Sequence, residues 1–333
     1  MSLIHYPKVS IMVPTYNQEN YIGQAIESAL NQDYLNLEII VADDCSRDET
    51  PIVIRRYLGD SRLKYFRNSV NLGKAGNYRK LLYNYASGDW VIMLDGDDYL
   101  IDNQFVSIAI AGIINHDNVV AVISGHKVSY PDVEYIHMPS EVTRLADGYD
   151  LFMNFQKITP GHSSIIYKRE LAAKVGAYRF NIMSDDYEMI LRLLLHGKAL
   201  LLNRVVSVWR HHERNISHML DFDVYMENVK FIEEPYKYAV GLGHDRNKLK
   251  RWRRRMLSWY LGAYITNNVR LLRMGIITKK QADKNINELI KFLVKRESTI
   301  LLDNIKIPGK IIIYKLAGTK FFEFLASCKR DKV

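Results

Sequence analysis

The chain has 333 residues, 48% of them hydrophobic and 25% charged, enough apolar material for a sizeable core and an ordinary load of charge for a globular protein. Its two cysteines, Cys45 and Cys328, fall in no CxxC or Cys/His pattern, which argues against a zinc site or a disulfide framework and fits a reducing compartment. No run approaches 18 apolar residues, and MSLIHYPKVSIMVPTYN makes a poor signal peptide, so the expectation is a cytoplasmic protein, with peripheral attachment to the cytoplasmic membrane left open.

The net charge of +9 hides an asymmetry. Residues 1–234 carry 23 Lys and Arg against 30 Asp and Glu, a net of −7, whereas residues 235–333 carry 23 against 7, a net of +16. Two regions so unlike in charge are expected to differ in job.

Along the chain, VSIMV (9–13) reads as a buried strand. Residues 19–31 read as a helix with Tyr21, Ile22, Ala25, Ile26, Ala29 and Leu30 on one side. LEIIVA (37–42) is the next strand, followed by a helix over 50–58 capped near Ser46 or Asp48. LKYF (63–66), a helix over 75–86, WVIML (90–94), a helix over 103–115 and VVAVIS (119–124) continue the alternation. Strands apolar on both faces, alternating with helices, imply an α/β fold with a Rossmann-like, mainly parallel sheet flanked by helices. The expected division is an α/β domain over 1–234, in two halves (1–124 and 125–234), then a mostly helical basic region over 235–333 beginning at Pro235.

Four acidic or basic constellations carry the chemistry. VIMLDGDD runs a strand into Asp95, Asp97 and Asp98, and IIVADD does the same for Asp43 and Asp44. Ligands of such sheets sit outside the carboxyl ends of the strands, so these acids outline a cation or sugar-nucleotide site. Mg²⁺ and Mn²⁺ favour carboxylate and phosphate oxygens, and Gly96 allows close backbone approach. The plainer alternatives are a solvated turn with Asp98 capping a helix, and an Asx turn at Asp43-Asp44 with Ser46. SDDYE (184–188) is either a first helical turn capped by Ser184, stabilised by the helix dipole, or the seat of a general base. RHHERNISH (210–218) gathers three histidines and two arginines that could meet a diphosphate, one His completing a metal shell.

Taken together, VSIMVPTYNQENYIGQAIESALNQDYLNLEIIVADDCSRDET, NLGKAGNYRKLLYNYASGDWVIMLDGDD, SDDYEMILRL and WRHHERNIS resemble, in order, the segments of family-2 inverting glycosyltransferases of the GT-A fold, over about residues 7–220. The resemblance implies a bacterial-type surface-polysaccharide enzyme with Mn²⁺ or Mg²⁺. It implies that Pro14, Tyr16, Asp43 and Asp44 line the nucleoside pocket with Asn71, Gly73 and Asn77, and that Asp95 lies near the ribose. Asp97 and His212 would hold the metal, Arg210 would meet the diphosphate, and Asp186 would be the base. The partners implied are a nucleotide-sugar donor and a glycan or lipid-linked glycan acceptor. The usual Glu-Asp pair is here Asp185-Asp186, and the usual Ala-Arg-Asn is Asn77-Tyr78-Arg79, a subgroup that includes rhamnosyltransferases being similar at Asn77. The donor is therefore read as a UDP-sugar, with dTDP-rhamnose the alternative. Gly161, His162 and Ser163 are candidates on the acceptor side.

In the basic region, Leu249, Trp252, Met256, Trp259 and Ala263 recur at helical spacing among Arg251 and Arg253 to Arg255. Residues 249–274, with 310–327, suit either an anionic membrane surface or packing into a core, and self-association into a homo-oligomer is a further use. A nucleotidyltransferase should show a glycine-rich loop after the first strand, and VPTYNQEN has none. A non-catalytic nucleic-acid- or glycan-binding protein would use the basic tail, yet residues 1–234 are acidic and show no nucleic-acid module, so no nucleic acid partner is expected.

Overall fold

The computed structural model describes residues 6–114, 116–130, 133–212, 221–273 and 275–296. The chain divides into two compact units, Met1–His218 and Met219–Val333. This division falls upstream of residue 234. Pro235, taken as the break, lies buried inside a helix, where the ring is accommodated and the chain continues.

The first unit contains β1 (Val9–Thr15), α1 (Ile22–Leu30), β2 (Leu37–Asp43), α2 (Thr50–Arg55), β3 (Leu63–Arg67) and α3 (Gly73–Lys80), the last running into a π-turn at Leu81–Tyr85. It continues through β4 (Trp90–Met93), β5 (Tyr99–Leu100), α4 (Phe105–Ile113), β6 (Val119–Ser129), β7 (Glu134–His137), β8 (Arg144–Asp147) and α5 (Gly148–Met153). β9 (Ile165–Lys168), α6 (Arg169–Lys174), α7 (Asp185–Leu194) and β10 (Lys198–Arg210) complete it.

The ten strands among the described residues form one sheet, ordered β3-β2-β1-β4-β9-β6-β10-β5, with β7 on β6 and β8 on β10. The expected α/β architecture holds, and β3, β2, β1 and β4 are parallel throughout. The second half is mixed: β9 runs antiparallel between β4 and β6, while β6 and β10 pair in parallel. The parallel half forms because β1 and β2 are buried along their full lengths, as strands covered on both faces must be. Val9, Ile11, Val13, Ile39, Val41 and Ile92 pack with Ile22 and Ile26 of α1 and Phe105 and Ile110 of α4. Each such side chain contributes about 1.5–3 kcal/mol on burial.

Two features place the site. The two-residue β5 pairs with β10 at Val208↔Tyr99 and Ser207↔Leu100, folding the acidic turn after β4 back against the end of β10. The first turn of α7 lies within reach of α3, through Lys74 and Asp185.

The second unit contains α8 (Phe222–Glu227), α9 (Lys230–Gly241), α10 (Arg246–Arg273) and α11 (Lys279–Arg296). Leu249, Trp252 and Met256 of the expected α10 stripe are fully buried and serve packing, whereas Trp259 is half-buried and Ala263 exposed. Tyr225 and Tyr260 stack at 4.3 Å and exchange hydroxyl-to-carbonyl hydrogen bonds of 2.9 and 3.0 Å, while Asn228 donates to the Tyr260 hydroxyl. Among the described residues, no helix is long and apolar enough to cross a membrane. The segment 310–327 and the end of RHHERNISH lie outside the described residues.

Candidate active site

At the end of β2 the aspartates act as a frame. Asp43 is fully buried; its Oδ1 accepts from the Ser46 N–H at 2.8 Å, and its Oδ2 accepts from the Tyr65 hydroxyl at 3.0 Å and lies 3.3 Å from Arg67 Nε. Asp44 Oδ1 accepts from Asn68 Nδ2 and the Leu72 N–H, both at 2.8 Å, and its Oδ2 from the Gly73 N–H at 2.9 Å. Gly73 has φ of +73°, a left-handed turn that suits glycine, and Asn71 Oδ1 also accepts from its N–H. Asn77 is buried beneath this loop, donating to the Ala42 carbonyl at 2.8 Å and accepting from Asn68 at 3.0 Å. Pro14 is buried within β1, and Tyr16, just past its end, is 41% exposed.

At the end of β4 the acids meet partners from distant elements. A Cβ on Gly96 would displace the Gln18 amide and stand 3.0 Å from both the Pro14 carbonyl and the Thr15 Cβ, so glycine suits the close approach of this turn to β1. Asp97 Oδ2 lies 3.0 Å from His212 Nε2, and the His212 ring stacks on Tyr21 at 4.7 Å. Asp98 is not a solvated helix cap. It is 4% exposed and its Oδ1 accepts from the Arg210 N–H at 2.9 Å, because β5 intervenes and α4 begins at the N-cap Gln104. Burial and then the Asp97 and Asp95 charges push its carboxyl well above the usual range. The Arg210 guanidinium lies 5.0 Å from the Tyr21 ring and 4.9 Å from that of Tyr99, and also meets Gln24.

Asp95 accepts from the Tyr78 hydroxyl and lies 3.4 Å from His162 Nδ1. Burial disfavours charge on His162 most, but the Asp95 hydrogen bond and charge, with Asp186 and Asp185, outweigh it and move the ring upward. His162 Nε2 meets the Tyr178 hydroxyl at 3.0 Å, which meets that of Tyr167 at 2.7 Å. The loop carrying Gly161, His162 and the buried Ser163 rests on His126, whose Nδ1 accepts from the Gly161 N–H at 3.1 Å. Burial, aided by His137, holds His126 down at about 4, which keeps that nitrogen an acceptor at neutral pH.

Ser184 takes the N-cap position of α7 without a side-chain cap bond. Asp185 is buried and paired with Lys74 Nζ at 2.7 Å, whereas Asp186 is half-buried. Burial, opposed by Lys74 and reinforced by Asp186, pushes Asp185 up to about 6. Burial opposes the Lys74 charge, and the Asp185, Asp186 and Asp95 charges outweigh it, so the pair is ionic at neutral pH. Tyr78 donates to Asp95, and Lys74 Nζ, 5.6 Å from the centre of the Tyr78 ring, donates to Asp185, which links the turn after β4 to the start of α7. Lys74 and Tyr178 were not singled out in the sequence, and Tyr78 only within the Asn77-Tyr78-Arg79 departure, because nothing marks a lysine or a tyrosine whose partners are remote.

A divalent cation fits these residues. Asp97 and His212 offer an oxygen and an imidazole nitrogen 3.0 Å apart, and the crowding that raises Asp98 is what a cation relieves. Among the described residues no group of three or more His, Cys, Asp or Glu could hold a metal ion, so the remaining ligands would come from substrate oxygens.

A sheet of this order, with an acidic turn after β4 and an acid pair opening α7, is that of the GT-A transferases. Residues 10–176, half of the chain, match the family model "Glycosyl transferase family 2", and the chain belongs to that family. It is 36% identical over 118 residues to the poly(ribitol-phosphate) β-N-acetylglucosaminyltransferase TarS of Staphylococcus aureus, a match covering 35% of this chain and 20% of TarS. It is 42% identical over 96 residues to the UDP-Glc:α-D-GlcNAc-diphosphoundecaprenol β-1,3-glucosyltransferase WfgD of Escherichia coli, covering 29% of this chain and 37% of WfgD. The chain thus spans well under half the length of these two relatives. The fold is similar to TarS residues 1–349 in complex with UDP-GlcNAc, with TM-score 0.60, 18% identity, and coverage of 93% of this chain and 92% of that one. It is also similar to the mannosyltransferase PcManGT of Pyrobaculum calidifontis in complex with GDP-Man and Mn²⁺, with TM-score 0.53, 17% identity, and coverage of 94% and 88%.

Proposed function

We propose that the chain transfers a sugar, with inversion, from a UDP-sugar to a hydroxyl of a glycan or lipid-linked glycan in surface polysaccharide synthesis. The observation that carries this reading is one run of contacts: Asp95 accepts from Tyr78 and lies 3.4 Å from His162, and Lys74, 5.6 Å from the Tyr78 ring centre, donates to Asp185 at the start of α7. TarS, crystallised with UDP-GlcNAc, and WfgD, named for UDP-Glc, support a UDP-sugar over the dTDP-rhamnose alternative. The Asn77-Tyr78-Arg79 departure bears on that choice, because Tyr78 engages Asp95.

In this reading Asp44, whose Oδ2 already accepts from the Gly73 N–H, takes a nucleobase N–H between Pro14 and Tyr16. Asn71, Gly73 and Asn77 hold that pocket's wall, and Asp95 accepts from the ribose. Asp97 and His212 hold Mn²⁺ or Mg²⁺, which when bound neutralises charge growing on the leaving diphosphate. Arg210, fixed between Tyr21 and Tyr99, adds a guanidinium to the same phosphates. As the anomeric carbon becomes oxocarbenium-like, Asp186 accepts the proton of the acceptor hydroxyl on the opposite face, and a single displacement inverts the centre.

Asp186→Asn is expected to keep UDP affinity within threefold while sugar transfer falls by about 10²–10⁴. Turnover unchanged in that variant would remove Asp186 from the mechanism.

A further inference from the structure

We propose that Lys74 is a positioning residue that couples the filled nucleotide pocket to the base Asp186. The inference rests on the reading of the Asp44 rim as the nucleotide pocket and of Asp186 as the base.

One chain of contacts joins the two. Asp44 holds the N–H groups of Leu72 and Gly73 at 2.8 and 2.9 Å. The next residue, Lys74, extends to α7, donating to Asp185 Oδ1 at 2.7 Å and to the Met183 carbonyl at 3.0 Å. The same Asp185 oxygen accepts from the backbone N–H of Asp186 at 3.1 Å. Lys74 and the base therefore share one acceptor atom. Asp185 is 2% exposed, and its Oδ2 has no hydrogen-bond partner, so Oδ1 carries the hydrogen bonds that hold this carboxylate. Adjacent carboxylates thus divide their work: Asp185 is clamped by Lys74, and Asp186 is left half-buried at the rim.

A nucleotide seated against Asp44 fixes the 72–73 turn, and the short Lys74 tether carries that constraint to the first turn of α7. Small displacements of a catalytic group cost about 10²-fold in rate, which makes such a tether consequential without contact to substrate. The coupling is an interaction between two sites, so it shows as a response of one to occupancy of the other.

Hydrogen exchange of the 183–190 peptide with and without UDP and Mn²⁺ reads it directly. In the wild type, UDP slows exchange of this peptide at least threefold. In Lys74→Met, UDP binds within threefold of wild-type affinity, the exchange response is lost, and UDP release from the UDP-sugar that the wild type turns over falls about thirtyfold in kcat with KM within threefold. Lys74→Arg restores both to within fivefold. A merely structural ion pair would lower the melting temperature and leave the exchange response in place. If Lys74→Met does not fold, Asp185→Asn breaks the same contact from the other side. A retained response, or kcat within threefold of wild type in Lys74→Met, overturns the proposal while the site reading stands. Wild type that fails to bind UDP, or active Asp186→Asn, overturns the site reading and the coupling with it.

Discussion

At the end of β2, Asp43 and Asp44 accept hydrogen bonds from five donors: Ser46, Tyr65, Asn68, Leu72 and Gly73. At the end of β4, three carboxylates share a four-residue turn, and one of them, Asp98, is pushed well above its ordinary range by burial and by the other two. Both strands end on the same motif of neighbouring acids. The first pair is satisfied largely by backbone N–H, amide and hydroxyl groups and stiffens the rim. The second set retains repulsion that a cation would relieve, which is the electrostatic mark of a working site.

This contrast can be broken by substitution. Asp44→Ala takes the acceptor from the Leu72 N–H and one of two acceptors each from the Gly73 N–H and Asn68 Nδ2, which keep Asn71 and Asn77, and is expected to cost about 2–3 kcal/mol of stability in urea unfolding without any nucleotide. A loss below about 1 kcal/mol would take the framing role away from Asp44. Gly96→Ala, which forces a methyl against Gln18 and the Pro14 carbonyl, is expected to cost about 2 kcal/mol. Gly59→Ala, with nothing within 4 Å of the added carbon, serves as the control and stays within about 0.5 kcal/mol.

Asp97→Asn sharpens the other side. Removing the Asp97 charge lowers the Asp98 carboxyl toward its unfolded value. A raised folded value means stability that is full below the unfolded value and lost as pH rises through the folded one. Asp97→Asn loses less of it, so its stability should equal or exceed that of the wild type at pH 7.5, by less than about 1 kcal/mol. That advantage should shrink toward pH 4 in a pH series of thermal melts. A variant less stable than wild type at pH 7.5 and equal at pH 4 would reverse the assignment of repulsion.

The parallel half of the sheet was legible because strands buried on both faces are continuous apolar runs. β5 was not, since Tyr99–Leu100 is too short to show a period, and β7 was not, since Glu134–His137 is exposed throughout. The acids of the rim were legible because charge at the end of an apolar strand is conspicuous. What Asp98 does was hidden, because its partner Arg210 is 112 residues away and meets it only through the β5–β10 pairing. Lys74 was hidden for the same reason, its acceptor being 111 residues on. The apolar stripe of α10 had two physical uses in the sequence, and burial of Leu249, Trp252 and Met256 gives that part of it to packing.

The central claim is that Asp97 and His212 hold a cation on the diphosphate of a UDP-sugar. Calorimetric binding of UDP, with dTDP and GDP alongside, to the wild type and to Asp97→Ala, with and without Mn²⁺, tests it most directly. The account predicts UDP binding that strengthens at least tenfold with Mn²⁺ in the wild type and loses that gain in Asp97→Ala. UDP binding indifferent to Mn²⁺, or an equal gain in both proteins, would contradict it.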